Sequence, residues 1–182
     1  EYPKDTNPIT REHGTMIVII APTRELCQQI DTVVQELRSK LSFIVSGTLL
    51  GGENVQTEKR RLRKGVTILI ATPGRLLYHL HNSINVYFEY LKYLVLDEAD
   101  RLLDMGFLSK ISEILGMLPQ RQTILVSATL HPRLSELQEL ALHNPVMVGV
   151  LQNEEFSIPP QLSQHAVLVP AKRRLSTLAA LL

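Results

Sequence analysis

The 182-residue sequence has one cysteine and no tryptophan, and neither acids nor bases dominate it. A lone Cys27 cannot form an internal disulfide, and the histidines show neither an HExxH pattern nor a Cys/His ligand spacing. A disulfide-held scaffold is excluded, and a structural zinc site is not expected. No apolar run approaches the length of a membrane span, and no charged-then-apolar signal segment opens the sequence, so it reads as soluble and suited to a reducing compartment. Lys and Arg number 19 against 18 Asp and Glu, a formal net charge of +1. Global charge therefore selects no partner, although "EKRRLRKG" (Glu58 to Gly65) and "AKRRL" (Ala171 to Leu175) concentrate basic residues locally. What is present is apolar: 45% of the residues are hydrophobic, enough for one substantial core.

That apolar content is organised in five short runs: "MIVII" (Met16 to Ile20), "FIVSGTLL" (Phe43 to Leu50), "VTILI" (Val66 to Ile70), "YLVL" (Tyr93 to Leu96) and "TILV" (Thr123 to Val126). Runs apolar throughout, rather than alternating, suit parallel strands covered on both faces. Helical patterns lie between them, with Leu26, Ile30, Val33 and Leu37 expected on one buried face and Leu134, Leu137 and Leu140 on another. Strand followed by helix, repeated, predicts a doubly wound α/β domain built on a parallel sheet. Residues 1–15 read as a Pro-punctuated loop and 16–150 as the domain. Residues 151–164, with "NEEFSIPPQ", read as a linker, and 165–182 as the strand "HAVLV" and a leucine-striped helix belonging to a second domain. The whole reads as a piece of something longer.

The ends of the strands share a pattern. Ala21-Pro22-Thr23-Arg24 follows the first run, Gly51-Gly52 the second, Thr72-Pro73-Gly74-Arg75 the third and Ser127-Ala128-Thr129 the fifth. In a parallel sheet these junctions line the carboxyl edge, where such folds bind ligands. Each supplies a small or capping residue where a helix is expected to begin, so the edge is expected to carry several helix N-termini beside Arg24 and Arg75, a row suited to phosphates. Any one junction alone is better explained as ordinary turn chemistry, whereas four together, two with arginines, are harder to dismiss. The basic run Lys59 to Lys64 is equally well explained as cations at a helix C-terminus ahead of Gly65.

The fourth run leads into "DEADRLLD", four carboxylates in eight residues. Buried unpaired carboxylates are costly, so a cation is expected nearby. An apolar strand ending in Asp97-Glu98 is the arrangement by which phosphate-handling enzymes hold Mg²⁺ beside a nucleotide, with the second acid placed to act on water. An Asp-x-Asp phosphotransfer site does not fit, because Ala99 separates Glu98 from Asp100.

Taken in order, "APTREL…Q" (Ala21 to Gln29), "GG" (Gly51, Gly52), "TPGR" (Thr72 to Arg75), "DEAD" (Asp97 to Asp100) and "SAT" (Ser127 to Thr129) resemble the DEAD-box RNA helicases of superfamily 2. The stretch "GGENVQTEKRRLRKGVTILIATPGRL" is most similar to the nucleolar subgroup acting in large-ribosomal-subunit biogenesis. The resemblance implies a RecA-like first helicase domain, ATP and Mg²⁺ as cofactors, RNA and pre-ribosomal proteins as partners, and a nuclear or nucleolar location. It implies that Asp97 holds Mg²⁺ through water and that Glu98 activates the hydrolytic water. Asp100, Ser127 and Thr129 then couple nucleotide state to RNA. Pro22, Thr23, Arg24, Gly51, Gly52, Thr72, Gly74 and Arg75 grip the backbone of one strand without reading its sequence. The family also carries a Q motif and a glycine-rich phosphate loop ahead of PTREL, and no Gly-Lys-Thr or Gly-Lys-Ser occurs in these residues. The expectation is therefore an ATP-dependent RNA helicase of which this chain alone is inactive. The alternative is a non-catalytic module that binds RNA or a protein.

Overall fold

The computed structural model describes residues 10–41, 43–83, 87–129, 134–149, 161–163 and 165–182. The chain divides into two compact units, Glu1–Pro145 and Val146–Leu182.

The first unit is built on a parallel sheet of five strands: β1 (Ile17–Ile20), β2 (Ser46–Leu49), β3 (Ile68–Ala71), β4 (Tyr93–Leu96) and β5 (Gln122–Leu125). Their spatial order is β2-β3-β1-β4-β5, all pairs parallel. Ile19 of β1 sits in register between Ile70 of β3 and Val95 of β4. The helices are α1 (Arg24–Arg38), α2 (Val55–Arg63), α3 (Pro73–Asn82), α4 (Ala99–Asp104), α5 (Leu108–Met117) and α6 (Leu134–Ala141). The expected doubly wound α/β class is what forms.

Alternation along β1 shows why the strand is apolar on both sides. Val18 and Ile20 enter one core with Leu69, Leu94, Leu96 and the helix residues Leu76, Leu102, Leu103, Ile111, Ile114 and Leu137. Ile17 and Ile19 pack against the other core, where Cys27 and Val34 of α1 meet Ile68 and Ile70. Burying a Leu or Ile side chain contributes roughly 1.5–3 kcal/mol, so the two layers pin the register of the central strands. Sheet edge β5 departs from the expected double cover: Ile124 is 41% exposed.

Two helix faces also differ from the sequence reading. In α1 the fully or nearly buried residues are Cys27 and Val34, while Val33 and Leu37 are exposed. Sulfur behaves as a small hydrophobe here, and counting it apolar rotates the predicted face by one position. In α6 the buried set is Leu134, Leu137 and Ala141, and Leu140 faces out.

The predicted loop over residues 1–15 contains structure where it is described. Arg11–His13 form one turn of 3₁₀ helix. Thr15 is buried, with its N–H donating to Tyr87 O at 3.1 Å and its hydroxyl to Val66 O at 3.2 Å. Residues 1–9 lie outside the described residues, as do 151–160 and 164 of the predicted linker.

In the second unit a 3₁₀ turn (Ala171–Arg173) leads into α7 (Arg174–Leu181), as the leucine stripe predicts. Residues 165–169, expected as a strand of a second domain, have no strand partner among the described residues, and Leu168 is fully exposed. A strand needs a neighbour for its N–H and C=O groups.

Candidate functional site

The sheet topology sorts the singled-out residues into two groups. Along the carboxyl edge the strand ends follow as Gly51-Gly52 after β2, Thr72–Arg75 after β3, Pro22–Arg24 after β1, Asp97-Glu98 after β4 and Ser127–Thr129 after β5. Adjacent strands lie about 4.8 Å apart, so the three segments expected at RNA are contiguous. The two acidic and hydroxyl-bearing segments flank them on one side.

The acidic group is compact. Asp97 N donates to Ile20 O at 2.9 Å and Ala99 N to Val126 O at 3.0 Å, which fixes the strand end between β1 and β5. Between them Glu98 adopts φ 47 and ψ 54, the left-handed region that costs a residue with a Cβ about 1–2 kcal/mol. This reversal turns β4 into α4 within one residue and leaves the Asp97 and Glu98 carboxylates half-buried at the edge. Asp97 Oδ1 accepts from Glu98 N at 2.9 Å. Glu98 Oε2 meets Arg101 Nη1 at 2.6 Å in a partly exposed ion pair. Asp100 Oδ2 accepts from the Thr129 hydroxyl at 2.7 Å, across 29 residues of sequence. That hydroxyl, above all, holds the Asp100 carboxyl below the usual carboxylate range, with the Arg101 N–H and the Ser127 hydroxyl adding to it. The Ser127 hydroxyl in turn donates to Thr129 O at 2.9 Å, closing the turn.

Only part of the expected row of helix N-termini is built. Thr23 caps α1, its hydroxyl accepting from Leu26 N at 3.2 Å. Thr72 occupies the cap position of α3 with Pro73 first in the helix, but its side chain makes no capping bond. Gly51 and Gly52 form a turn ahead of α2, whose cap is Asn54. Ser127–Thr129 are not helical, and residues 130–133 lie outside the described residues. Gly52 has φ +88, and a Cβ there would sit 2.7 Å from Arg24 Nη1, so this glycine lets Arg24 lie against the turn.

Arg75 is engaged by its neighbours. Its Nε donates to Glu58 Oε2 at 2.7 Å and its Nη2 to Glu53 O at 2.6 Å, with the Tyr78 ring centre 5.4 Å from its Cζ. Glu58 is fully buried. It also accepts from Leu50 N at 3.0 Å and meets His79 Nε2 at 2.8 Å. Glu53 forms a two-pronged pair with Arg61, at 2.7 and 3.2 Å, and Arg61 also reaches Thr48 O. Glu58, His79 and Arg101 escaped the sequence reading. The signal for Glu58 was available: it lies four residues before Leu62 on the buried face of α2, where an acid needs partners. Cys27 is sealed, and burial pushes its thiol up to about 12, which removes it as a nucleophile.

Residues 5–137 match the DEAD/DEAH box helicase family. The chain is 40% identical to the human protein named ATP-dependent DNA helicase DDX31, over 94% of this chain and 24% of that protein. It is 39% identical to ATP-dependent RNA helicase DBP7 of Meyerozyma guilliermondii, over 97% of this chain and 27% of that one. The chain thus spans about a quarter of the length of the curated relatives it matches. Among solved structures, the yeast DEAD-box splicing factor Prp28 superposes with TM-score 0.67 at 31% identity, covering 73% of this chain and 32% of Prp28. A DEAD box protein from the hyperthermophile Methanococcus jannaschii gives TM-score 0.65 at 27% identity, over 75% and 37%. With the strand-end segments, the sheet order and these likenesses in agreement, the chain belongs to the DEAD/DEAH box helicase family and has its RecA-like fold.

Proposed function

We propose that this chain is the RNA-gripping and nucleotide-coupling part of an ATP-dependent RNA helicase that acts in ribosome biogenesis in the nucleolus. The observation that carries the proposal is the bond from the Thr129 hydroxyl to Asp100, which ties the acidic strand end to the neighbouring loop. A change at either end is transmitted to the other, as coupling of nucleotide state to RNA requires.

Asp97 suits Mg²⁺. Its carboxylate is half-buried at the edge with one oxygen engaged by Glu98 N–H. No cluster of three ligating side chains occurs among the described residues. That donor set fits a hard cation held through water by one carboxylate and by a nucleotide's phosphates, not by a protein cage. When bound, the ion would neutralise charge on the triphosphate. Glu98 then orients the attacking water and accepts its proton, which requires it to leave Arg101. Asp100, Ser127 and Thr129 carry the coupling, with pre-ribosomal proteins as further partners of the whole protein.

Pro22, Thr23, Arg24, Gly51, Gly52, Thr72, Gly74 and Arg75 form the face for one RNA strand. Arg24 is exposed and available to phosphate, Pro22 and Arg75 shape the face, and backbone contact makes the grip independent of sequence. Because the names of the relatives include both RNA and DNA helicases, the test compares matched single-stranded RNA and DNA. RNA-stimulated phosphate release and duplex separation by the full-length protein, abolished by Glu98→Gln, are the expected results. Stimulation by DNA but not RNA would reassign the substrate.

A further inference from the structure

Glu58 and His79 are both fully buried, yet neither belongs to a segment expected to touch RNA or nucleotide. They form a relay that runs from the interior to the carboxyl edge. The Ser83 hydroxyl lies 2.7 Å from His79 Nδ1, His79 Nε2 lies 2.8 Å from Glu58 Oε2, and Arg75 Nε lies 2.7 Å from the same oxygen. The other oxygen, Oε1, accepts from Leu50 N at 3.0 Å. A carboxylate only accepts, so His79 presents Nε2–H to it, while Nδ1 and the Ser83 hydroxyl share the other hydrogen bond.

Stability alone does not account for such a group, since well-packed apolar residues serve a core as well as a buried ion pair does. Its partners do account for it. Leu50 immediately precedes the Gly51-Gly52 turn, and Arg75 closes the Thr72–Arg75 segment. Arg75 then reaches over to Glu53 O on the far side of the glycines. One carboxylate thus fastens both loops.

We propose that Glu58, held by His79, is a positioning residue for the RNA face: it fixes Arg75 and the Gly51-Gly52 turn in the arrangement that receives one strand. The proposal rests on the RNA-binding reading above. Arg75 acts chiefly as a strut between loops, with two of its donor groups directed inward. Preorganising the loops removes an ordering cost that binding would otherwise carry.

A mutant cycle on the 182-residue chain tests this, with a ten-nucleotide oligouridylate as probe and fluorescence anisotropy as readout. Glu58→Gln is expected to weaken binding about tenfold. Because it acts through Arg75, the double variant with Arg75→Ala should bind no worse than Arg75→Ala alone. The Arg75 Nε–H resonance, protected from exchange in the parent chain, should lose that protection in Glu58→Gln, a readout that loss of stability in a folded variant does not move. If Glu58→Gln does not fold, His79→Gln replaces it in the same cycle, with a loss of about threefold expected. Unchanged affinity, strictly additive losses, or an Arg75 resonance unaffected by the change would each overturn the positioning role. Arg24→Ala separates the causes. If it weakens binding while the Glu58 and His79 variants do not, positioning alone fails; if neither Arg24→Ala nor Arg75→Ala has any effect, the RNA face fails and takes this proposal with it.

Discussion

The Thr129 hydroxyl donates to Asp100 Oδ2 at 2.7 Å, joining two loops whose strands, β4 and β5, are neighbours in the sheet. The bond also sets a pH dependence. Asp100 titrates below the ordinary carboxylate range when folded, so its contribution to stability is present above the unfolded value and lost as pH falls through the folded one. Thr129→Val removes the leading cause of the shift. Carboxyl-carbon NMR should show the Asp100 titration moving up toward the ordinary range, and the stability gap between parent and variant should be present at pH 7 and close in acid. An Asp100 titration that does not move would show that the hydroxyl is not what lowers it.

Gly51 and Gly52 are adjacent but should respond differently to the same change. A Cβ at Gly51 meets nothing within 4 Å, whereas at Gly52 it would lie 2.7 Å from Arg24 Nη1 at a φ of +88. Gly52→Ala should cost about 1–2 kcal/mol in backbone strain and weaken RNA as Arg24→Ala does, while Gly51→Ala should keep the parent's stability. Urea denaturation with RNA titration of the two variants checks this. Equal behaviour of the two would remove the role given to Arg24 packing on the turn.

Cys27 offers a check on the interior. Its thiol is raised to about 12 from an ordinary value near 9. A raised folded value means the contribution to stability is full below the unfolded value and lost as pH rises toward the folded one. Stability should therefore slope downward between about pH 9 and pH 12, and Cys27→Ala should flatten that part of the profile. Disulfide reagents should modify Cys27 only as fast as the fold opens. Rapid modification of the native chain would place the thiol at the surface.

How far the sequence carried can be judged residue by residue. The apolar runs located all five strands, most sharply β1 and β3 in the doubly covered middle of the sheet; the edge strands β2 and β5 carry the polar residues Ser46, Thr48, Gln122 and Thr123. The strand ends located the edge, since in a parallel sheet every strand finishes on one side. The order of strands was not legible, and it is the order that separates the segments ending β2, β3 and β1 from the acids of β4. The pairing of Arg75 with Glu58 was not legible, because the two lie 17 residues apart, beyond the reach of a local pattern. The α1 face was misjudged because Cys27 was not counted as apolar.

The chain on its own should release no phosphate from ATP above a Glu98→Gln control, with or without RNA. The 182 residues contain no Gly-Lys-Thr or Gly-Lys-Ser, so the backbone cradle and lysine that hold β- and γ-phosphates in such enzymes have no counterpart in them. A coupled phosphate assay at saturating ATP decides it. Turnover that Glu98→Gln abolishes would mean these residues position the triphosphate in another way.

The central claim, that the β2, β3 and β1 end of the carboxyl edge grips an RNA backbone, is tested most directly by the salt dependence of single-stranded RNA binding. The account predicts weak binding of the 182-residue chain, equal for oligomers of different sequence. Log affinity should fall linearly with log salt at about −0.7 per phosphate neutralised, and Arg24→Ala should make that slope shallower by about 0.7. Affinity that is flat in salt, that selects one sequence, or that survives Arg24→Ala with its slope intact would contradict it.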